Sequence, residues 1–212
     1  MKPLGIGFVG AGMVGQVAHL ANYIDIPGCK VVALAELRPA LGRMAAARYG
    51  IGKLYESHRD LLADEEVEAV VVVTRPQAHG PIVLDALETG RHVLSEKPMA
   101  HTIEQALRLV DAAHRRKLNY VVGFMKRHDA GAQQARATLD ALRTSGELGR
   151  IVLMRAWCYG GEFRCGTSDF VMTEEVRPDG LSTWPSAPPS TRSTRNPPAS
   201  RPRSPPRSSS AR

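Results

Sequence analysis

The segment Gly10-Ala11-Gly12-Met13-Val14-Gly15 has the residue types and spacing that most directly imply chemistry in this chain. A G-x-G-x-x-G run arises by chance in Gly- and Ala-rich sequence. Here an apolar strand pattern over residues 6–9 precedes it and a helical pattern over 13–21 follows, which is the context the motif needs. Gly10 permits the tight turn, Gly12 lets backbone approach a pyrophosphate, and Gly15 lets the helix pack close to the strand. The N–H groups of the first helical turn, at Met13 and Val14, are then free to bind phosphate.

Two further positions extend that reading. Glu36 ends the second apolar run, 21 residues after Gly15, where a carboxylate accepts hydrogen bonds from the diol of an adenine ribose. Arg38 follows two residues later. Its guanidinium could meet a 2′-phosphate, but Glu36 would repel that phosphate, so NAD is favoured over NADP. Glu96-Lys97-Pro98 directly follows another strand pattern, at the carboxyl end where open α/β sheets bind ligands. Pro98 restricts the backbone of Lys97. A lysine held there can hydrogen-bond a substrate hydroxyl and stabilise alkoxide charge as hydride leaves.

These residues need a scaffold, and the pattern of residues 4–122 supplies one. Short β-branched apolar runs at 4–9, 30–35, 68–73, 91–95 and 120–122 alternate with helical spacing. Val70-Val71-Val72-Val73 is nearly continuous apolar sequence, as expected for a strand buried on both faces. Ile82, Val83, Ala86 and Leu87 recur at helical spacing over 79–88. Thr102 with Gln105 makes a capping-box start, and Ile103, Ala106, Leu107, Val110 and Ala113 fall on one helical face behind it. A helix over 130–144 aligns Ala132, Ala135, Leu139 and Leu142. Gly146 and Gly149 then break it, and residues 151–158 read as a new strand.

The charge balance excludes a folded basic face. The net charge is +7, but residues 181–212 carry six Arg and no acid, leaving 22 basic and 21 acidic side chains in the other 180 residues. That stretch also holds eight Pro and nine Ser, too little apolar surface to offset ordering entropy, so it is expected to be disordered. Eleven aromatics make a base-stacking platform a poor reading, and nucleic-acid binding would rest on the arginine tail alone. Residues 3–24 lack Asp, Glu, Lys and Arg, but five glycines with Gln16, His19 and Asn22 argue against a signal peptide or membrane span. Three cysteines (Cys29, Cys158, Cys165) without CxxC spacing argue against disulfides and zinc and fit a reducing cytoplasm. His19, His58, His92, His101 and His114 show no metal-ligand spacing and read as structural or solvent-exposed.

Taken together, the glycine fingerprint, Glu36, the Thr74…His79 loop, the run from Arg91 to Pro98, and Gly123-Phe124 resemble the Gfo/Idh/MocA oxidoreductases, the glucose–fructose oxidoreductase and inositol dehydrogenase family. The resemblance covers about residues 4–185, and Glu96-Lys97-Pro98 is its most specific part. It implies an N-terminal Rossmann domain, a C-terminal α/β domain on an open, mostly antiparallel sheet, and hydride transfer between NAD(P) and sugars, cyclitols or related polyols. Lys97 matches the lysine that touches substrate and nicotinamide, and Thr74, Arg75, His79 and Glu96 match cofactor-side positions. In many relatives the fourth-strand loop reads Thr-Pro-Asn; here Pro76 stands in place of the asparagine. Lys126-Arg127-His128-Asp129 follow the sixth strand. Arg127 and His128 are candidates for substrate contact, with a solvated basic loop as the other reading.

The family's general base is usually a histidine in the second domain, whereas no His follows His128 here. The abrupt Arg/Pro/Ser composition would follow from an out-of-frame reading or from a genuine disordered tail, and a frameshift or truncation is the favoured expectation. The expectations are therefore an α/β chain with a Rossmann domain at 1–124, an incomplete second α/β domain at 125–180 and a disordered tail at 181–212. The function expected is NAD(P)-dependent oxidoreduction of a small polyhydroxy substrate, without metal, nucleic acid or membrane. A homo-oligomer of the family type is compatible with it. The alternative is a non-catalytic dinucleotide-binding module.

Overall fold

The computed structural model describes residues 2–157. Six strands form one parallel sheet in the order β3-β2-β1-β4-β5-β6. They are β1 (Leu4–Val9), β2 (Cys29–Ala35), β3 (Lys53–Tyr55), β4 (Ala69–Val72), β5 (His92–Ser95) and β6 (Tyr120–Val122). Helix α1 spans residues 13–23, with π geometry over Gly15–Leu20 and α geometry over Ala21–Tyr23. The other crossovers are α2 (Pro39–Tyr49), α3 (His58–Ala63), α4 (Pro76–Glu88) and α5 (Ile103–Arg116).

Alternation along the strands sorts the core onto two faces. Ile6, Phe8, Leu34 and Val71 pack with Leu20 of α1 and Ala45 and Ala46 of α2. Val9, Ala33, Val70 and Val72 pack with Leu61 of α3, Val83 and Leu87 of α4, and Leu109 of α5. Strand β4 is thus covered on both sides, which is why its valines run without interruption. The charge-free stretch at the N-terminus is β1, the glycine turn and α1, with Ile6, Phe8, Val9, Ala11 and Leu20 buried. No helix among the described residues is long and apolar enough to cross a membrane.

Three features differ from the periodicity. Helix α5 begins as expected, with the Thr102 hydroxyl accepting from the Gln105 N–H at 3.1 Å, but it buries Leu109, Ala112 and Ala113. Ile103, Leu107 and Val110 stay exposed, because the sheet and α4 lie against the other flank of the same helix. Helix α6 (Ala130–Ser145), capped by Asp129, buries no residue among those described. The strand expected over 151–158 does not form in its described part. Residues 151–157 have no strand pairing, and Val152, Leu153, Met154 and Trp157 are exposed, since a strand exists only through its neighbour. The expected tail at 181–212, Cys158 and Cys165 lie outside the described residues.

Candidate active site

A parallel sheet puts all its carboxyl ends on one edge, and here the chain leaves β1 for β2 and β3 before returning to β4 on the other side. That reversal opens a crevice at the ends of β1 and β4. The glycine turn closes β1 at this point. Gly10 has φ of +98° and donates its N–H to the Ala35 carbonyl at the end of β2, at 2.9 Å. A Cβ on Gly10 would strike the Val73 carbonyl oxygen, and one on Gly15 would lie 2.8 Å from the Gly10 carbonyl oxygen. Gly12 is the contrast: a Cβ there meets no atom within 4 Å. Among the described residues no contact requires glycine at position 12, which leaves the backbone beside the turn open to approach.

Buried Gln16 holds the turn from inside, its amide donating to the Ala11 carbonyl at 2.7 Å. Met13 and Val14 open α1 directly after the glycine turn, and their N–H groups precede the first intrahelical donor, Gln16, which bonds the Gly12 carbonyl at 2.9 Å. Val14 is exposed.

Glu36 stands at the end of β2, only 5% exposed. Its Oε2 accepts the Ala11 N–H at 2.8 Å, so the carboxylate also shapes the glycine turn. Arg38 grips it as a fork, Nε to Oε1 at 2.7 Å and Nη2 to Oε2 at 3.0 Å, with the Arg38 N–H on Oε1 at 3.1 Å. Burial pushes the Glu36 pKa up, but the Arg38 guanidinium and the two backbone N–H groups outweigh it, and the carboxyl titrates below its ordinary range. A ribose diol reaching Glu36 would share those oxygens with Arg38.

On the β4 side, Thr74 and exposed Arg75 precede α4. His79 lies beneath the crevice rather than in it. It is 1% exposed, with Nδ1 3.1 Å from the Pro98 carbonyl oxygen and Nε2 3.0 Å from the Thr74 carbonyl oxygen. It joins the β4 loop to the Glu96-Lys97-Pro98 segment from below.

At the end of β5, Glu96 donates its N–H to the Val72 carbonyl at 3.0 Å and accepts the Lys97 N–H on Oε2 at 3.1 Å. Its Oε1 lies 2.8 Å from Nε2 of His19, on α1. Lys97 is exposed, and no hydrogen bond or ion pair engages its ammonium among the described residues. Arg127 and His128 sit in an exposed 3₁₀ turn (Met125–His128) after β6, with the Arg127 guanidinium over the Phe124 ring at 5.7 Å. Strand β6 neighbours β5, so this turn shares the edge that carries Lys97.

The structure therefore gathers Gly10, Gly12, Met13, Val14, Gly15, Glu36, Thr74, Arg75, Glu96 and Lys97 along one edge. Gln16 and His19 belong with them and were not singled out from the sequence. The spacing of Gln16 from Gly12 hinted at an inward helical position; His19 carried no local signal at all. The open space at Gly12, the N–H groups of Met13 and Val14, which no hydrogen bond engages among the described residues, and the buried carboxylate beside them fit a dinucleotide.

Comparison with known proteins bears on the same region. Residues 4–124 match the model of the Gfo/Idh/MocA family, described as an oxidoreductase family with an NAD-binding Rossmann fold. An inositol 2-dehydrogenase of Rubrobacter xylanophilus is 35% identical over 173 residues, covering 80% of this chain and 48% of that protein. Scyllo-inositol dehydrogenase from Lactobacillus casei, solved with NAD(H) and scyllo-inositol, superposes with a TM-score of 0.61 at 28% identity, covering 70% of this chain and 43% of the other. A 3-ketoreductase from Actinomadura kijaniata with NADP gives 0.62 at 30%, covering 66% and 44%. The chain spans less than half the length of each of these proteins.

Proposed function

Because the chain belongs to the Gfo/Idh/MocA oxidoreductase family, with its NAD-binding Rossmann fold, we propose that it binds NAD in the β1–β4 crevice and serves hydride transfer to or from a cyclitol or related polyol. The observation that carries this reading is the glycine turn itself, open at Gly12 and tied through the Ala11 N–H to the buried carboxylate of Glu36. The names of the similar proteins, inositol dehydrogenases among them, support the substrate class.

The nicotinamide cofactor, when bound, supplies the hydride acceptor or donor. This chain's residues bind, orient and polarise. The first-turn N–H groups of α1, at Met13 and Val14, bind the pyrophosphate, and Gly12 admits it to the backbone. Glu36 accepts from the adenine-ribose diol, with Arg38 displaced from one of its oxygens. Thr74 and Arg75 border the crevice from the β4 side. Lys97 donates to the substrate oxygen and stabilises the negative charge left there as the hydroxyl proton passes to solvent and hydride leaves the carbon. Arg127 and His128, on the same edge, bound the substrate side. Residues 125–180 are read as the beginning of a second, substrate-contacting domain.

Glu36→Ala should weaken NAD binding about tenfold, the scale of a charge-assisted hydrogen bond. It should also narrow the preference for NAD over NADP, since the carboxylate that repels a 2′-phosphate is gone while Arg38 remains. Calorimetric titration with both dinucleotides is the test. Unchanged affinity for both would remove Glu36 from the site. Oxidation of a panel of inositols and aldoses, followed by NADH formation and its dependence on Lys97, tests the substrate class.

A further inference from the structure

His19 and Glu96 are 77 positions apart in sequence yet meet at 2.8 Å, with side chains only 13% and 19% exposed. Neither helix formation nor strand pairing requires this contact. Glu96 is confined from several sides: its N–H is fixed to the Val72 carbonyl, its Oε2 takes the Lys97 N–H, and a Cβ on Gly123 would lie 3.4 Å from its Oε1. On the other flank of Lys97, the Pro98 carbonyl faces His79 Nδ1 at 3.1 Å. The backbone of Lys97 is thereby held between two histidine contacts, one from the helix that follows the glycine turn and one from α4. Its ammonium meanwhile stays unengaged among the described residues.

We infer that His19 is a positioning residue for Lys97: it locks Glu96, and through it the Lys97 backbone, to the helix whose first turn binds the pyrophosphate, so that the ammonium is set at a fixed place relative to the nicotinamide. A four-methylene side chain on a free loop would sample many positions. Anchoring its backbone to the same helix that carries the phosphates ties both ends of the dinucleotide site to one rigid element. The inference rests on the proposed placement of Lys97 beside the nicotinamide.

The test compares NADH with ADP-ribose, which shares the adenine, riboses and pyrophosphate but lacks the nicotinamide. Both are titrated by calorimetry into the wild-type chain, H19A, H19Q, K97A and the H19A/K97A double variant. His19 is the residue to change, because His79 is fully buried and its replacement would disturb packing. H19A is expected to weaken NADH about fivefold, the scale of one lost hydrogen bond, and to leave ADP-ribose unchanged. H19Q should recover most of the loss, since its amide can donate to Glu96. In the K97A background H19A should have no further effect, as required if the two residues act in series.

Equal weakening of NADH and ADP-ribose by H19A would mean that His19 merely stabilises its helix, and the inference falls. It falls likewise if H19A is silent while K97A weakens NADH, or if the H19A effect persists in full without Lys97. A K97A variant that binds NADH as the wild type does would instead overturn the placement of Lys97 at the nicotinamide, and the inference with it.

Discussion

Gly12→Val should abolish measurable NAD binding while leaving the fold intact. The position is not in the left-handed region, and a Cβ there finds no atom of the described residues within 4 Å, so valine's branched side chain costs the folded chain little. It fills instead the space through which a pyrophosphate must approach the first turn of α1. Losing two backbone N–H contacts to a charged oxygen, at roughly 1.5 kcal/mol or more each, amounts to a hundredfold or greater loss of affinity. Calorimetry reads the affinity, and a thermal melt in the absence of ligand reads the stability. A variant that still binds NAD within a fewfold of wild type would show that the vacant space is not the pyrophosphate path.

Gly10→Ala, two residues earlier, should do the reverse. At φ of +98° an L-residue is strained, and the added Cβ would strike the Val73 carbonyl, which is backbone and cannot swing aside. The cost is expected to reach about 3 kcal/mol or more, or a melting temperature lowered by roughly 6–12 °C for a chain of this size. The Gly10 N–H bond to Ala35 would be disturbed as well, loosening the end of β2 where Glu36 sits. Melting curves of the two variants side by side separate the glycine the fold needs from the glycine the ligand needs. Equal destabilisation by both would contradict the distinction.

Much of this was readable from residue order, for a physical reason. Strand β1, the glycine turn and the Thr102 cap are local: the residues that determine them lie within a few positions of one another. Strand β3 was missed because three half-buried residues, Lys53 to Tyr55, carry no period. Helix α2 buries Leu41, Gly42, Ala45 and Ala46, a face of mostly small side chains whose apolar signal is weak. The buried flank of α5 matches the expected stripe only at Ala113, because spacing identifies an apolar stripe without saying how far round the helix the sheet will cover. Ile103, Leu107 and Val110 are as periodic as Leu109 and Ala112, and Ala113 lies at the margin of both stripes. The functional residues divide the same way. Glycines and Glu36 announce themselves through fixed offsets from a strand. His19 acquires meaning only from Glu96, and that proximity comes from the pairing of β1, β4 and β5. His79 lies on the expected element, and its depth below the surface is set by packing that position along the chain does not carry.

The single polarity of the sheet has a kinetic consequence. Each of α1 to α5 follows a strand and runs back against it, so five helix N-termini converge on the edge that holds the crevice. Each contributes about half a positive charge there, joined by exposed Arg75 and Lys97. A dinucleotide carrying a pyrophosphate is drawn toward this edge before any contact forms, and the attraction is screened as ionic strength rises. In stopped-flow measurements the association rate of NADH should fall with added salt while its dissociation rate changes far less. A salt-independent association rate would mean that encounter is left to undirected diffusion and that the converging helix ends act only after arrival.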